Sequence, residues 1–255
     1  MNIRNIAMAM LCLTFLFTAC KKDKEVTPEE KGSFNVEFEN QVDGEALVLD
    51  TKTYTNANGD QYNINTFKYY VSNVTLTKAD GGTYVVPESY YLVDASKASS
   101  SLVTVSDVPA GDYTKISFLI GVDKERNTSG AQTGALDPAL GMFWTWNSGY
   151  IFLKLEGTSP QSTAANNKLT FHIGGFTEPN NTIRTFTANI NTANPLRIRE
   201  DKRPQLHFKV NVASLFKGKQ NISFANLNTT MGGANSVIVA DNYENGLFSL
   251  DHIHN

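Results

Sequence analysis

The chain has 255 residues, 22 Lys and Arg against 25 Asp and Glu, and a formal net charge of −3. That balance, without any basic block, argues against nucleic acid as a partner. Its two cysteines, Cys12 and Cys20, both lie near the N-terminus, so the body of the chain has neither disulfides nor thiolate metal sites.

The first element reads as a targeting segment. "MNIRNIAMAMLCLTFLFTAC" carries one early positive charge, Arg4, and then an uncharged, mostly apolar run from Ile6 to Ala19. The run suits a signal-peptide core and is short for a membrane-spanning helix. Ala19 directly before Cys20, followed by the polar "KKDKEVTPEEKGS", resembles the lipobox of bacterial lipoproteins. The resemblance implies cleavage before Cys20 and lipidation of its thiol. Each buried acyl methylene then contributes roughly 0.8 kcal/mol to membrane attachment. Residues 1–19 are expected to be a signal peptide, 20–32 a lipidated tether, and 33–255 a single domain. The expected location is the outer membrane, facing the periplasm or the cell surface.

Beyond the tether, apolar residues alternate with period two. Phe34, Val36 and Phe38 share one face, followed by Ile116, Phe118, Ile120 and Val122, then Leu169, Phe171 and Ile173, and Leu206, Phe208, Val210 and Val212. Turn chemistry separates the runs, as in "NANGD", "ADGG" and "VPAGDY". The phase of "FKYYVSNVTLTK" changes near Ser72 and Asn73, which predicts a bulge or an edge. Ile151, Leu153 and Leu155 form an inward face; Met142, Trp144, Trp146, Tyr150 and Phe152 have the opposite parity unless "NSG" interrupts the pleat. Helical signal is late and weak, from about Ala234 to Tyr243 and as a single turn in "VASLFKG". The expected class is all-β, a sandwich of mostly antiparallel strands with one or two short helices near the C-terminus.

Little points to catalysis. The chain has no nucleophile elbow, phosphate-binding loop or H-E-x-x-H pattern, and the expectation is that it is not an enzyme. Its four histidines are more informative. His172 has the parity opposite to Phe171 and Ile173, so it leaves the core face. His207 alternates with Lys209 and Asn211 and reads as part of a solvated face. His252 and His254 close the chain as "DHIHN", where an extended backbone puts both rings on one side, able to share a metal ion. On pattern alone the paired tryptophans read as core.

Longer stretches carry a resemblance. "IGVDKERN", "GALDPALGMFWTWNSGYIFLKLEG", "FHIGG", "NYENGLFSLDHIHN" and, upstream, "FKYYVSNVTL", "YYLVDAS" and "VPAGDY" resemble the MbnP-like family, methanobactin-associated copper-binding proteins of the periplasm and outer membrane. The resemblance implies one bound copper ion, and a dihaem cytochrome c peroxidase-like (MbnH-like) partner that oxidises a tryptophan to kynurenine. Carried over to this chain, the oxidisable candidates are Trp144 and Trp146, and the imidazole ligands are His172, His252 and His254. Some relatives place a histidine two positions after the oxidised tryptophan; here that place is taken by Trp146. Met142 is a possible soft ligand, and Asp94 and Asp251 are candidates to orient imidazoles. The expected function is copper acquisition, storage or sensing outside the cytoplasm. The alternative is a metal-free scaffold or glycan-binding lipoprotein that stacks sugars on Tyr54, Tyr62, Tyr90 and Tyr91.

Overall fold

A computed structural model describes residues 30–144 and 149–255. Trp146, Cys20, the signal segment and most of the tether lie outside the described residues. The alternating runs form two sheets packed as a sandwich, in agreement with the all-β expectation. A five-stranded sheet contains β1 (Lys31–Val42), β2 (Glu45–Ala46), β7 (Leu102–Pro109), β13 (Gln205–Asn211) and β15 (Phe248–His254). Its order is β15-β13-β1-β2, with β7 also on β1. A ten-stranded sheet contains β3 (Tyr54–Thr55), β4 (Gln61–Lys78), β5 (Thr83–Val85), β6 (Tyr90–Asp94), β8 (Gly111–Ile120), β9 (Leu153–Thr158), β10 (Lys168–Ile173), β11 (Arg184–Asn189), β12 (Leu196–Ile198) and β14 (Thr229–Met231). Its spine runs β11-β8-β4-β9-β10-β14. Most pairings are antiparallel; β1 with β13 and β10 with β14 are parallel. β1 starts at Lys31, opposite Pro109, so the first sheet takes in the last two residues of the expected tether.

Alternation decides what is inside. The period-two residues of β1, β8, β10 and β13 are buried in one core between the sheets. The Phe38 ring meets Tyr69 of β4 and Phe118 of β8 edge-on, at centroid distances of 6.2 and 6.3 Å, and stacks on Phe208 at 6.0 Å. The phase change in β4 is a bulge. Ser72 pairs with Leu119 and Thr75 with Ser117, so three steps on β4 match two on β8, and Asn73 takes a φ of 53°.

The outer face of the ten-stranded sheet carries a second, smaller core of Tyr70, Val122, Leu136, Met142, Trp144, Tyr150, Ile151 and Phe152. Tyr70 follows Tyr69 along β4, so the two rings point to opposite faces. Ile151 belongs here and not with Leu153 and Leu155, as the parity of the sequence suggested. The physical reason is that β9 begins only at Leu153, while the Ile151 N–H donates to the Met142 carbonyl at 2.8 Å. Covering this core are α1 (Lys124–Thr128), capped by the Asp123 carboxylate, and the 3₁₀ turns Gly134–Leu136 and Pro138–Leu140, whose Ala135 and Leu136 carbonyls accept from the Tyr70 and Tyr150 hydroxyls. The late helix is α2 (Ala234–Tyr243), and "VASLFKG" forms a 3₁₀ turn at Val212–Leu215. Among the described residues, no helix is long and apolar enough to cross a membrane.

The Trp144 indole lies against glycine. A Cβ at Gly174 would stand 2.6 Å from Trp144 Cη2 and 2.6 Å from the Tyr150 carbonyl oxygen, which is backbone and cannot step aside cheaply. Gly174→Ala is therefore expected to destabilise the protein by about 1–3 kcal/mol through overpacking. Chemical denaturation checks this, and an unchanged midpoint would show that the indole does not rest on this glycine.

Candidate metal centre

Three histidines converge on the outer face of the five-stranded sheet. The ligand nitrogens of His207, His252 and His254 all lie within 4.8 Å of one another. His252 Nε2 and His254 Nε2 are 3.1 Å apart. They share a hydrogen bond; two imidazoles holding a metal at 2.0–2.1 Å would set their nitrogens roughly 2.8–3.4 Å apart at right-angled to tetrahedral geometry, so an ion could replace that proton with little change of spacing. The His207 and His252 rings stack across the strands, with centroids 4.2 Å apart and planes at 14°, so one of them must turn about its side-chain torsions before both can direct a nitrogen at a single ion. Among the described residues, no other set of three His, Cys, Asp or Glu side chains brings its donor atoms together in this way.

One backbone irregularity makes the trio possible. Leu206 and Phe208 point into the core, so Gln205, His207 and Lys209 point out. On β15, Phe248 and Leu250 face inward opposite Val210 and Phe208. An unbroken pleat would turn His252 and His254 inward as well. However, Phe208 pairs with Leu250 and His207 with His252, so one step on β13 spans two on β15 and Asp251 is the extra residue of a bulge. Past it Ile253 packs on the core, while His252 and His254 stand outward beside His207.

The far nitrogens face carboxylates. Asp251 Oδ2 lies 2.8 Å from His252 Nδ1, and Glu37 Oε2, from the neighbouring β1, lies 3.2 Å from His207 Nδ1. On His252 the carboxylate takes the Nδ1 proton and turns Nε2 toward His254, the usual arrangement of an outer partner behind a metal-bound histidine, whereas Glu37 stands within ion-pair distance of His207 without a hydrogen bond to it. Lys209 pairs with Asp251 at 3.3 Å. The His252 hydrogen bond, followed by that of Lys209, holds the Asp251 carboxyl below its ordinary range. Burial, then the nearby His252, lowers the pKa of His207 against the opposing pull of Glu37, which favours the neutral imidazole a metal requires.

The ligand set implied by the family resemblance divides between two faces. His252 and His254 come together, joined by His207, which the alternation pattern assigned to a solvated face. His172 points outward from the ten-stranded sheet, on the side of Trp144 and the smaller core. The opposite outer faces of the sandwich therefore keep His172 and Trp144 apart from the histidine trio. Asp251 orients an imidazole as anticipated, whereas Asp94 is buried and paired with Lys68 at 3.0 Å. Met142 is fully buried. Among the proposed sugar-stacking rings, Tyr54 and Tyr62 are in the core.

His172 Nε2 lies 2.8 Å from Glu156 Oε1, and the Thr66 hydroxyl donates to the other oxygen at 3.2 Å. On the next strand its register partner is Met231, whose side chain is exposed. Burial lowers the pKa of His172 despite the attraction of Glu156. The folded state thus binds fewer protons than the unfolded chain, so stability rises with pH across the imidazole range. The contribution is complete above about pH 6.5 and is lost as pH falls through the lowered value. His172→Gln is expected to flatten the dependence of the urea midpoint on pH between about pH 7 and 5. Parallel pH curves for variant and wild type would contradict a His172 whose pKa is lowered by its partial burial.

The MbnP family model matches residues 31–233. Among solved structures, MbnP from Methylosinus trichosporium shares the fold with a TM-score of 0.53 and 14% identity, over 79% of this chain and 83% of that one. No curated protein matches the chain. The family match includes Trp144, His172 and His207 and ends before β15, so His252 and His254 lie beyond it. With most of its length covered by that match and its sandwich shared with the solved structure, the chain belongs to the MbnP family.

Proposed function

We propose that the protein binds copper outside the cytoplasm, through His207, His252 and His254, while anchored to a membrane by lipid at Cys20. The observation that carries this reading is the convergence of three imidazoles, two of them backed by carboxylates. Imidazole suits copper in either oxidation state, and a body without thiols relies on such donors. The ion is cargo or signal here, in acquisition, storage or sensing, and the protein is not itself an enzyme. A dihaem peroxidase-like partner, if it oxidises Trp144 or Trp146, does so without supplying this ion's ligands from Trp144, which stands on the opposite outer face. The trio needs no modified residue.

The mature chain is expected to bind one copper ion. His207→Ala, His252→Ala and His254→Ala should each weaken binding by more than the 10–100-fold typical of losing an outer-shell partner, and His172→Ala should leave it unchanged. Isothermal titration of the four variants checks this; a loss confined to His172→Ala would move the site to the other face. Copper at a hundred times its Kd should stabilise wild type by about 2.7 kcal/mol and the His207→Ala protein hardly at all.

Deleting Asp251 separates the bulge from the carboxylate. Without the extra residue the ladder becomes regular, and His252 still faces His207. Affinity should fall only by the 10–100-fold of a lost outer partner, as in Asp251→Asn. Complete loss of binding on deletion, with Asp251→Asn still competent, would show that the bulged backbone itself shapes the site.

A further inference from the structure

We propose that the histidine trio is an incomplete coordination set, closed by a small monodentate donor that comes from outside the protein. The inference rests on the trio being the copper site. All three imidazoles rise from one face of the β13–β15 ladder, so once His207 or His252 turns out of their stack the nitrogens meet an ion from the same side. Among the described residues, no fourth His, Cys, Asp or Glu joins them.

The polar neighbours are already committed. Asp251 holds the Nδ1 edge of His252, and Glu37, 3.2 Å from His207 Nδ1, accepts from the Gln205 side chain. Gln205 is the remaining candidate, with its side-chain nitrogen 2.9 Å from His207 Nε2. That same nitrogen is 2.7 Å from Glu37 Oε2. A carboxylate can only accept, so the Gln205 amide is oriented with its NH₂ toward Glu37 and His207. It offers His207 a proton and no lone pair. Until an ion arrives, Gln205 satisfies the lone pair that the ion would take.

Exposure completes the geometry. His252 and His254 are exposed and His207 is half-buried, so the side of the trio away from the sheet opens to solvent. Three protein ligands with a free position are the pattern of metal sites that exchange ligands, whereas closed four-ligand sites are structural. Such a site holds an ion and lets an incoming donor, whether a free anion or an imidazole of another molecule, join it without first displacing a protein ligand.

The probe is azide, titrated into full-length mature protein loaded with one equivalent of Cu(II), with metal content measured before and after. A saturable charge-transfer absorption at one azide per copper, with the copper retained and three imidazoles still seen by pulsed electron paramagnetic resonance, is the expected result. An unchanged spectrum with copper retained overturns the open position and leaves the copper site standing. Failure of the protein to hold copper in the first step overturns both. Gln205→Ala supplies the remaining discrimination. If wild type ignores azide and this variant responds, Gln205 is the fourth ligand and the proposal falls; an equal response in both supports it.

Discussion

The two-residue period of the strands constrains everything else in this molecule. The long strands of the sandwich, β1, β8, β10 and β13 among them, give every second side chain to a shared core, in which Phe38, Phe118, Phe208 and Phe248 meet ring to ring across the sheets. Aromatic pairs of this kind contribute roughly 0.5–1.5 kcal/mol each beyond the area they bury. The remaining side chains must then stand on one outer face or the other. Polar chemistry is confined to those two surfaces, and a residue can change surface only where the pleat is broken.

The two outer faces have been used differently. On the ten-stranded sheet, Val122, Leu136, Met142 and Trp144 together with Tyr150, Ile151 and Phe152 pack over Tyr70 as a second apolar layer, so Trp144 ends buried against Gly174. His172 at the margin of that layer is tied to Glu156 and reads as a structural pair. On the five-stranded sheet, the outer face of β13 and β15 remains open and carries imidazoles, carboxylates and one lysine. Breaks in the pleat mark both regions, Gly149 at φ 107° beside the first and the extra residue Asp251 in the second.

Most of the fold was legible in the sequence because alternation is a local signal. Phe34 to Phe38 and Leu206 to Val212 can be assigned to a core face without knowing what packs on them. Ile151 was misplaced because parity was carried back past the start of β9, and nothing local says where the ladder ends. His207 was assigned to solvent correctly as to side and without its partners, because β13 and β15 meet only through tertiary pairing. A signal was nevertheless present. Leu250 and Ile253 are both apolar and three apart, so they can share the inward face only if one residue between them is bulged. That single parity argument turns His252 and His254 outward. The alternation of Leu206 with Phe208 turns His207 outward too, but no sequence argument places the two strands side by side.

A metal held by the trio would give β15 a property that packing does not. β15 is the terminal strand of its sheet path and pairs with β13 alone in that path. Its inward contacts are Phe248, Leu250 and Ile253, and its bulge interrupts the hydrogen-bond ladder midway. Edge strands held by a single neighbour open at lower free energy than the strands inside a sheet. An ion shared by His207 of β13 and by His252 and His254 of β15 would cross-link the strands on the far side of that bulge from Phe248. Metal occupancy and pairing of β15 would then be one equilibrium, because the donors come together only when β15 is paired. The bulge that exposes the imidazoles is thus also the weak point that a bound ion would reinforce.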